Sequence, residues 1–385
     1  MKQFHFACPG EIYFGQHCVQ EHSDVLARLG KRAYVVSSPF PDGVRNLALE
    51  DVQSALQKEG VTYQIDEEVL PDPPVESAVE MMRRVTAFAP DYLIAVGGGS
   101  TMDTVKAVNI LLKYPNEEPY MALFGPGAHV FGVGGPNEGA LPFVSVTTTA
   151  GTGADLTGVA VLTRNDIQSK SGTNRRNFAD YAFVDSRYVM GAPAKLNHAT
   201  AIDALCHGIE AYLSRDSRDD FMTNMISEKA FQVFAKIKEP LLHNTMTAED
   251  SDNQALHSML QGMVIINEVT GVPHGLGYPL SYHFHVPHGL ACGIFEGEYL
   301  RLFGDSPRVR RLLDLLQFDT VDDFCEYIQA ILAPHIQISV THAQIEEWTK
   351  DFCNTQWRVE RHPEPLTEEM VLGIYERALR KFLTD

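Results

Sequence analysis

Along the first half of the chain, short apolar runs alternate with stretches whose apolar residues recur every three or four positions. Arg32–Ser38 (RAYVVSS) is a run of the first kind, opening after Gly30, and Asn46–Gln57 is of the second, with Leu49, Val52 and Leu56 on one stripe. Val61–Ile65 reads as a second strand. Val75–Phe88 reads as a helix, with Val75, Val79, Met82 and Val85 at helical spacing. Asp91–Val96 (DYLIAV) is a third strand, followed by a glycine triplet and another helix, and Pro142–Val146 (PFVSV) is a further strand. Periods near two and near 3.6 mark strand and helix respectively. Their alternation predicts a parallel sheet with helices on its faces, and near-continuous apolar strands fit burial on both sides.

The pattern changes near residue 190. Helical signals dominate from there: Ala199–Ser214, Asp219–Glu239, Ser251–Asn267, Ala291–Phe303, Arg308–Leu316, Val321–Leu332, His342–Cys353 and Thr367–Phe382. Ser251 and Thr367 are expected N-caps, and Ser306 with Pro307 opens the helix through Arg308. The predicted fold class is therefore an α/β N-terminal domain with a parallel sheet, residues 1–190, followed by an all-α C-terminal domain, residues 191–385. Phe124–Ala140 (FGPGAHVFGVGGPNEGA) reads either as a surface loop or as a loop over a cleft between the domains.

Composition narrows the function. With 50 acidic against 31 basic residues the formal charge is −19, which repels phosphate backbones and argues against a nucleic-acid partner. No apolar run reaches the roughly 18–20 residues needed to span a bilayer. The opening MKQFHFACPGEIYF lacks the apolar core of a signal peptide, so a cytoplasmic location is expected. Six scattered cysteines without a CxxC suggest neither a disulfide framework nor a thiolate zinc site.

Several clusters carry candidate chemistry. Gly97-Gly98-Gly99-Ser100 follows a strand and opens a helix, where free N–H groups and the positive dipole end suit a pyrophosphate. Ser100 with Asp103 resembles a capping box. The full GxGxxG fingerprint is absent, since Met102 takes its last position. Thr147-Thr148-Thr149-Ala150-Gly151-Thr152-Gly153 follows another strand and reads either as a nucleotide contact or as a polar turn. Asp203 and His207 stand four apart, which puts both on one helix face; alone, that spacing marks either a surface hydrogen bond or a ligand pair. GVPHGLGYPLSYHFHVPHGLACG holds His274, His283, His285 and His288. His274 and His288 are 14 residues apart, about 21 Å along a straight helix, and Pro279 and Pro287 interrupt such a helix. A chain that bends between the two Pro-His-Gly units would bring Asp203, His207, His274 and His288 to one divalent iron or zinc ion. His283 and His285 read as surface or neighbouring histidines.

GGGSTMDTVKA, TTTAGTGADLT, ATAIDALCHGIEAYLS and PHGLGYPLSYHFHVPHG, in this order, resemble the iron-containing (group III) alcohol dehydrogenase family. The opening PGEIYFG and the late HPEPLTEEMVLGIYERAL resemble its two ends, so the likeness covers nearly the whole chain. It implies a dinucleotide-binding α/β domain, a helical metal-binding domain and a cleft between them. It implies Fe²⁺, with Zn²⁺ as the alternative, on Asp203, His207, His274 and His288, and a homodimer. For NADP or NAD it implies Gly98, Gly99 and Ser100 at the pyrophosphate, with Asp103 beside them. Thr148, Thr149 and Thr157, Asp72 where the family often has Asn, and Lys170 match further cofactor positions. The implied reaction is hydride transfer between NAD(P)H and a small alcohol or aldehyde.

Two departures bear on this. Tyr278 stands where many members have a further histidine, so the proton route is assigned to Tyr278 or His283, or to water. The Arg32–Ser38 strand ends in Ser37-Ser38-Pro39 where NAD-specific members often carry the Asp that binds the ribose 2′-hydroxyl; with Ser38 there, a 2′-phosphate is not repelled. The alternatives are a metal- and NAD-dependent enzyme of the glycerol dehydrogenase or dehydroquinate synthase type, and a non-catalytic nucleotide-binding paralogue.

Overall fold

The computed structural model describes residues 6–38, 45–126, 140–215, 217, 220–268 and 270–384. Its contacts divide the chain into two compact units: Ala7–Gly191, and the residues from Ala192 onward together with Phe6.

The first unit holds strands β1 (Glu11–Phe14), β2 (Arg32–Ser37), β3 (Thr62–Asp66), β4 (Tyr92–Gly97), β5 (Phe143–Thr147), β6 (Val161–Arg164), β7 (Ser169–Gly172) and β8 (Tyr181–Val184). Its helices are α1 (Cys18–Glu21), α2 (Asp24–Leu29), α3 (Leu47–Lys58), α4 (Val75–Phe88), α5 (Gly99–Lys113) and α6 (Pro119–Phe124). Six strands form one parallel sheet in the order β1-β8-β5-β4-β2-β3, and β6 and β7 pair as an antiparallel hairpin. Strand β4 shows why the sheet is doubly covered. Tyr92, Ile94 and Val96 pack with Val35, Val52 and Leu56, while Leu93 and Ala95 pack with Tyr34, Met81 and Val105. Alternate residues thus enter two separate cores, one on each face. β3 lies outside β2, and β4 returns to its other side, so the strand order reverses between β2 and β4. The carboxyl ends of strands at such a reversal are where open α/β sheets bind ligands.

The expected strands of this unit are present with ends displaced by one residue or so. β1, β8 and the β6–β7 hairpin were not expected. β1 and β8 have four residues each and β7 is the polar sequence SKSG, so none is long or apolar enough to show a period. In the glycine-rich stretch after Phe124, residues 127–139 lie outside the described residues.

The second unit is helical among its described residues: α7 (Ala194–Leu213), α8 (Phe221–His243), α9 (Ala248–Asn267), α10 (Val272–Phe284), α11 (His288–Arg301), α12 (Pro307–Leu316), α13 (Val321–Leu332), α14 (His342–Cys353), α15 (Gln356–Val359) and α16 (Glu368–Leu379). One core joins Leu205 and Ile209 of α7, Phe234 of α8, Leu276 of α10, Phe295 of α11 and Phe324 of α13. Thr367 and Ser306 cap their helices as expected. Ser251 does not: Thr247 caps α9 through a reciprocal pair with Asp250, and Ser251 lies inside the helix. The larger correction is α10, which was not expected. Pro279 sits within it, and the chain breaks only at His285, whose φ of 54° is left-handed, before Pro287 starts α11. Burial of Val272, Leu276 and Leu280 in the core outweighs the ladder bond that Pro279 cannot make. No described helix is long and apolar enough to cross a membrane.

Candidate metal centre and cofactor cradle

The three-residue link between α10 and α11 folds the two Pro-His-Gly units back on each other. The rings of His274 and His288 lie 5.2 Å apart, and His207 stacks on His274 at 4.7 Å. Asp203 is the common neighbour. Its Oδ1 is 3.8 Å from His207 Nε2, 3.5 Å from His274 Nε2 and 3.9 Å from His288 Nε2. Atoms bonded at about 2.1 Å to one tetrahedral ion lie about 3.4 Å apart, so the four groups stand close to ligating distance. Asp203 Oδ1 and His274 Nε2 are buried without hydrogen-bond partners. A charged carboxylate left so is expensive, and a divalent cation satisfies both atoms. Burial opposes charge on Asp203, but His207, His274 and His288 outweigh it and hold its carboxyl well below the usual range. Burial, chiefly, lowers His207 to about 3, so its imidazole is neutral at physiological pH, the form that ligates a metal.

A residue not singled out in the sequence sets the orientation. Glu210 is buried on α7, three residues after His207 and seven after Asp203, on the same helix face. Its Oε2 accepts from the backbone N–H of Gly271 at 2.6 Å and of His274 at 3.4 Å, the unpaired amides at the start of α10. Its Oε1 accepts from His274 Nδ1. A carboxylate only accepts, so Nδ1 carries the proton and the Nε2 lone pair is left for an ion. Behind it, Cys206, Glu210 and Glu296 bring one polar atom each within 4.8 Å of one another. Burial pushes the Glu296 carboxyl well above its usual range.

The two residues assigned to proton transfer part company. Tyr278, one turn after His274, is buried and its ring stacks on His288 at 5.7 Å, with the Arg358 guanidinium 4.8 Å from its centroid. His283 is exposed at the end of α10, stacked on Trp348 at 6.0 Å. The structure brings Tyr278 to the cluster and does not bring His283.

The cofactor candidates gather in the other unit at the carboxyl ends of β2, β4 and β5. Gly98 caps α5 with extended backbone and no side-chain hydrogen bond. A Cβ there would lie 2.8 Å from Thr149 Oγ1, so only glycine lets the loops after β4 and β5 meet. Thr148 N donates to Gly97 O at 3.0 Å. Thr149 Oγ1 is buried without a partner, beside the free amides of α5 and Gly99, the kind of donor set an anion fills. Ser38 Oγ bonds Thr101 Oγ1 at the end of β2. Ser100 Oγ accepts from Asp72 N at 3.2 Å, Asp72 adopts φ 49°, and its carboxylate pairs with Lys170 Nζ at 2.7 Å. Asp103 makes no capping box. It accepts from Val161 N of β6 at 3.0 Å and faces buried Lys106, whose Nζ donates to Val159 O at 3.0 Å and Thr157 Oγ1 at 3.3 Å. Asp103 and Thr157 therefore brace the cradle from behind, through Lys106, whose complete burial no local sequence feature announces.

Comparison with known proteins identifies the family. A family model described as iron-containing alcohol dehydrogenase matches residues 9–186, and one for the C-terminal part of the same family matches 197–379. The chain is 28% identical over 295 residues to a lactaldehyde reductase of Escherichia coli K12, covering 76% of this chain and 74% of that protein. It is 29% identical over 293 residues to an NADPH-dependent butanol dehydrogenase of Clostridium saccharobutylicum, covering 75% and 71%. A crystal structure of an iron-containing alcohol dehydrogenase from Thermotoga maritima superposes with a TM-score of 0.85 at 26% identity, over 98% of this chain and all of that one.

Proposed function

The chain belongs to the iron-containing alcohol dehydrogenase family, an oxidoreductase that exchanges hydride between NAD(P)H and an alcohol or aldehyde, and we propose on that premise how its own residues divide the work. Residues 7–191 serve as the dinucleotide-binding domain and those from 192 as the metal-binding domain. Asp203, His207, His274 and His288 hold the divalent ion, Fe²⁺ by the family norm and Zn²⁺ as the alternative. The observation that carries this is the convergence of three imidazole Nε2 atoms within 3.9 Å of the unpartnered Asp203 Oδ1. The ion supplies Lewis-acid polarisation of the substrate oxygen, and the dinucleotide supplies or takes the hydride. Glu210 keeps the proton on His274 Nδ1. Tyr278 Oη gives its proton to the substrate oxygen during reduction and takes it back during oxidation. Gly98, Gly99, Ser100, Thr148 and Thr149 cradle the pyrophosphate, braced by Asp103, Thr157 and the Asp72–Lys170 pair.

Short aldehydes are the proposed substrate class, by likeness to relatives named for lactaldehyde and butanol. Ser38 in place of a carboxylate leaves a ribose 2′-phosphate unopposed, so NADPH serves at least as well as NADH. Loss of reduced-cofactor absorbance with Fe²⁺-loaded protein and short aldehydes tests this. Turnover is expected only with metal and is absent in His274→Ala. A kcat/KM with NADH more than about tenfold above that with NADPH, roughly 1.4 kcal/mol, overturns the cofactor assignment. The reading carries with it a cytoplasmic homodimer.

A further inference from the structure

The ligand-bearing helices share a device: each carries a second group one turn beyond its first. On α7 it is His207 after Asp203, on α10 Tyr278 after His274. On α11 it is Cys292 after His288, and residues four apart lie on one face. Cys292 is fully buried, and its Sγ lies 3.8 Å from His288 Nδ1 and 3.9 Å from Nε2. Asp203, His274, His288 and Cys292 bring one ligand atom each within 4.8 Å of one another. The sulfur therefore stands in the same group as the two unpartnered buried atoms, Asp203 Oδ1 and His274 Nε2. Metal–sulfur bonds of about 2.3 Å and metal–nitrogen bonds of about 2.1 Å put such atoms about 3.6 Å apart, close to the separations seen.

We propose that Cys292 is itself a ligand of the ion, its thiolate binding beside Asp203, His274 and His288. This rests on the reading that the Asp203 cluster holds a divalent cation. On binding, the thiol gives its proton to solvent and the sulfur lone pair forms the bond to the ion, with no change of oxidation state. A thiolate draws the site toward thiophilic ions such as Zn²⁺ and Co²⁺, whereas oxygen and imidazole alone leave that choice open.

Cobalt separates this proposal from the reading beneath it. Metal-free protein titrated with Co²⁺ shows visible d–d bands when any set of these residues binds the ion, and a near-ultraviolet sulfur-to-cobalt charge-transfer band only when sulfur is bound. Both are expected at one equivalent. Cys292→Ser should keep the visible bands and lose the charge-transfer band. Cys206→Ser, removing the neighbouring buried thiol, should keep both. Visible bands without charge transfer in the unaltered protein overturn the proposal and spare the cluster. A charge-transfer band that survives in Cys292→Ser, or vanishes in Cys206→Ser, overturns it too. No cobalt uptake sinks both. If Cys292→Ser does not fold, the unaltered protein decides by the presence or absence of the band, with Cys206→Ser as its control.

Discussion

Glu210 joins two tasks in one carboxylate. It satisfies the first amides of α10 and fixes the tautomer of His274. Glu210→Gln keeps an oxygen for the amides but removes the charge that favours the Nδ1 proton. Partners of this kind are worth about 10–100-fold in metal affinity, so competition with a chelating dye should show a loss of that size while the far-ultraviolet spectrum is unchanged. Glu210 could have been found beforehand, because Asp203, His207 and Glu210 follow the i, i+4, i+7 stripe of one helix face. That stripe alone does not separate a buried carboxylate from the solvated ones that helices usually carry. Cys292 escaped because the cysteines were read only for the close spacing of thiolate zinc sites. Lys106 gave no signal at all, since its burial is a property of the packed unit and not of the local sequence.

At the scale of elements, the metal centre depends on how closely α7 and α11 approach. A Cβ at Gly289 would fall on Ala199 O and lie 2.6 Å from Asp203 Cβ, so the backbone of α11 rests directly on α7. Gly289→Ala has no flexible side chain to push aside. A destabilisation of about 1–3 kcal/mol is expected from overpacking, read as a lower midpoint in urea, together with weaker metal retention because His288 moves with the strand of helix that carries Gly289. The long helices and central strands were legible from their periods, several to within a residue or two. α10 was not: two glycines and three prolines in VPHGLGYPLSYHFHVP argue locally against a helix, and only the packing of Leu276 and Leu280 into the core overrules them. The His274–His288 meeting was anticipated as a bend, yet the bend is three residues between two helices rather than a loop.

For the molecule as a whole, the two binding functions are drawn from different parts of the chain. Every cofactor candidate falls within 7–191 and every metal candidate from 192 onward. Asp203→Ala should therefore abolish turnover while leaving the NADPH dissociation constant within about threefold of the original by calorimetry, a change under about 0.7 kcal/mol. A large loss of cofactor affinity would show that the metal ligands also build the nucleotide site. The chain order has a further consequence, for synthesis. Glu11 of β1 pairs with Tyr181 of β8, 170 positions later, and Phe6 packs with Ala211, Ile226 and Val264, later still. At about 5–20 residues per second, the first strand waits roughly 10–35 s on the ribosome for its partner. The α/β sheet then closes while Phe6 is still without its neighbours, so a residue that precedes the first strand is captured only after the whole sheet that follows it, once the chain has emerged as far as Val264.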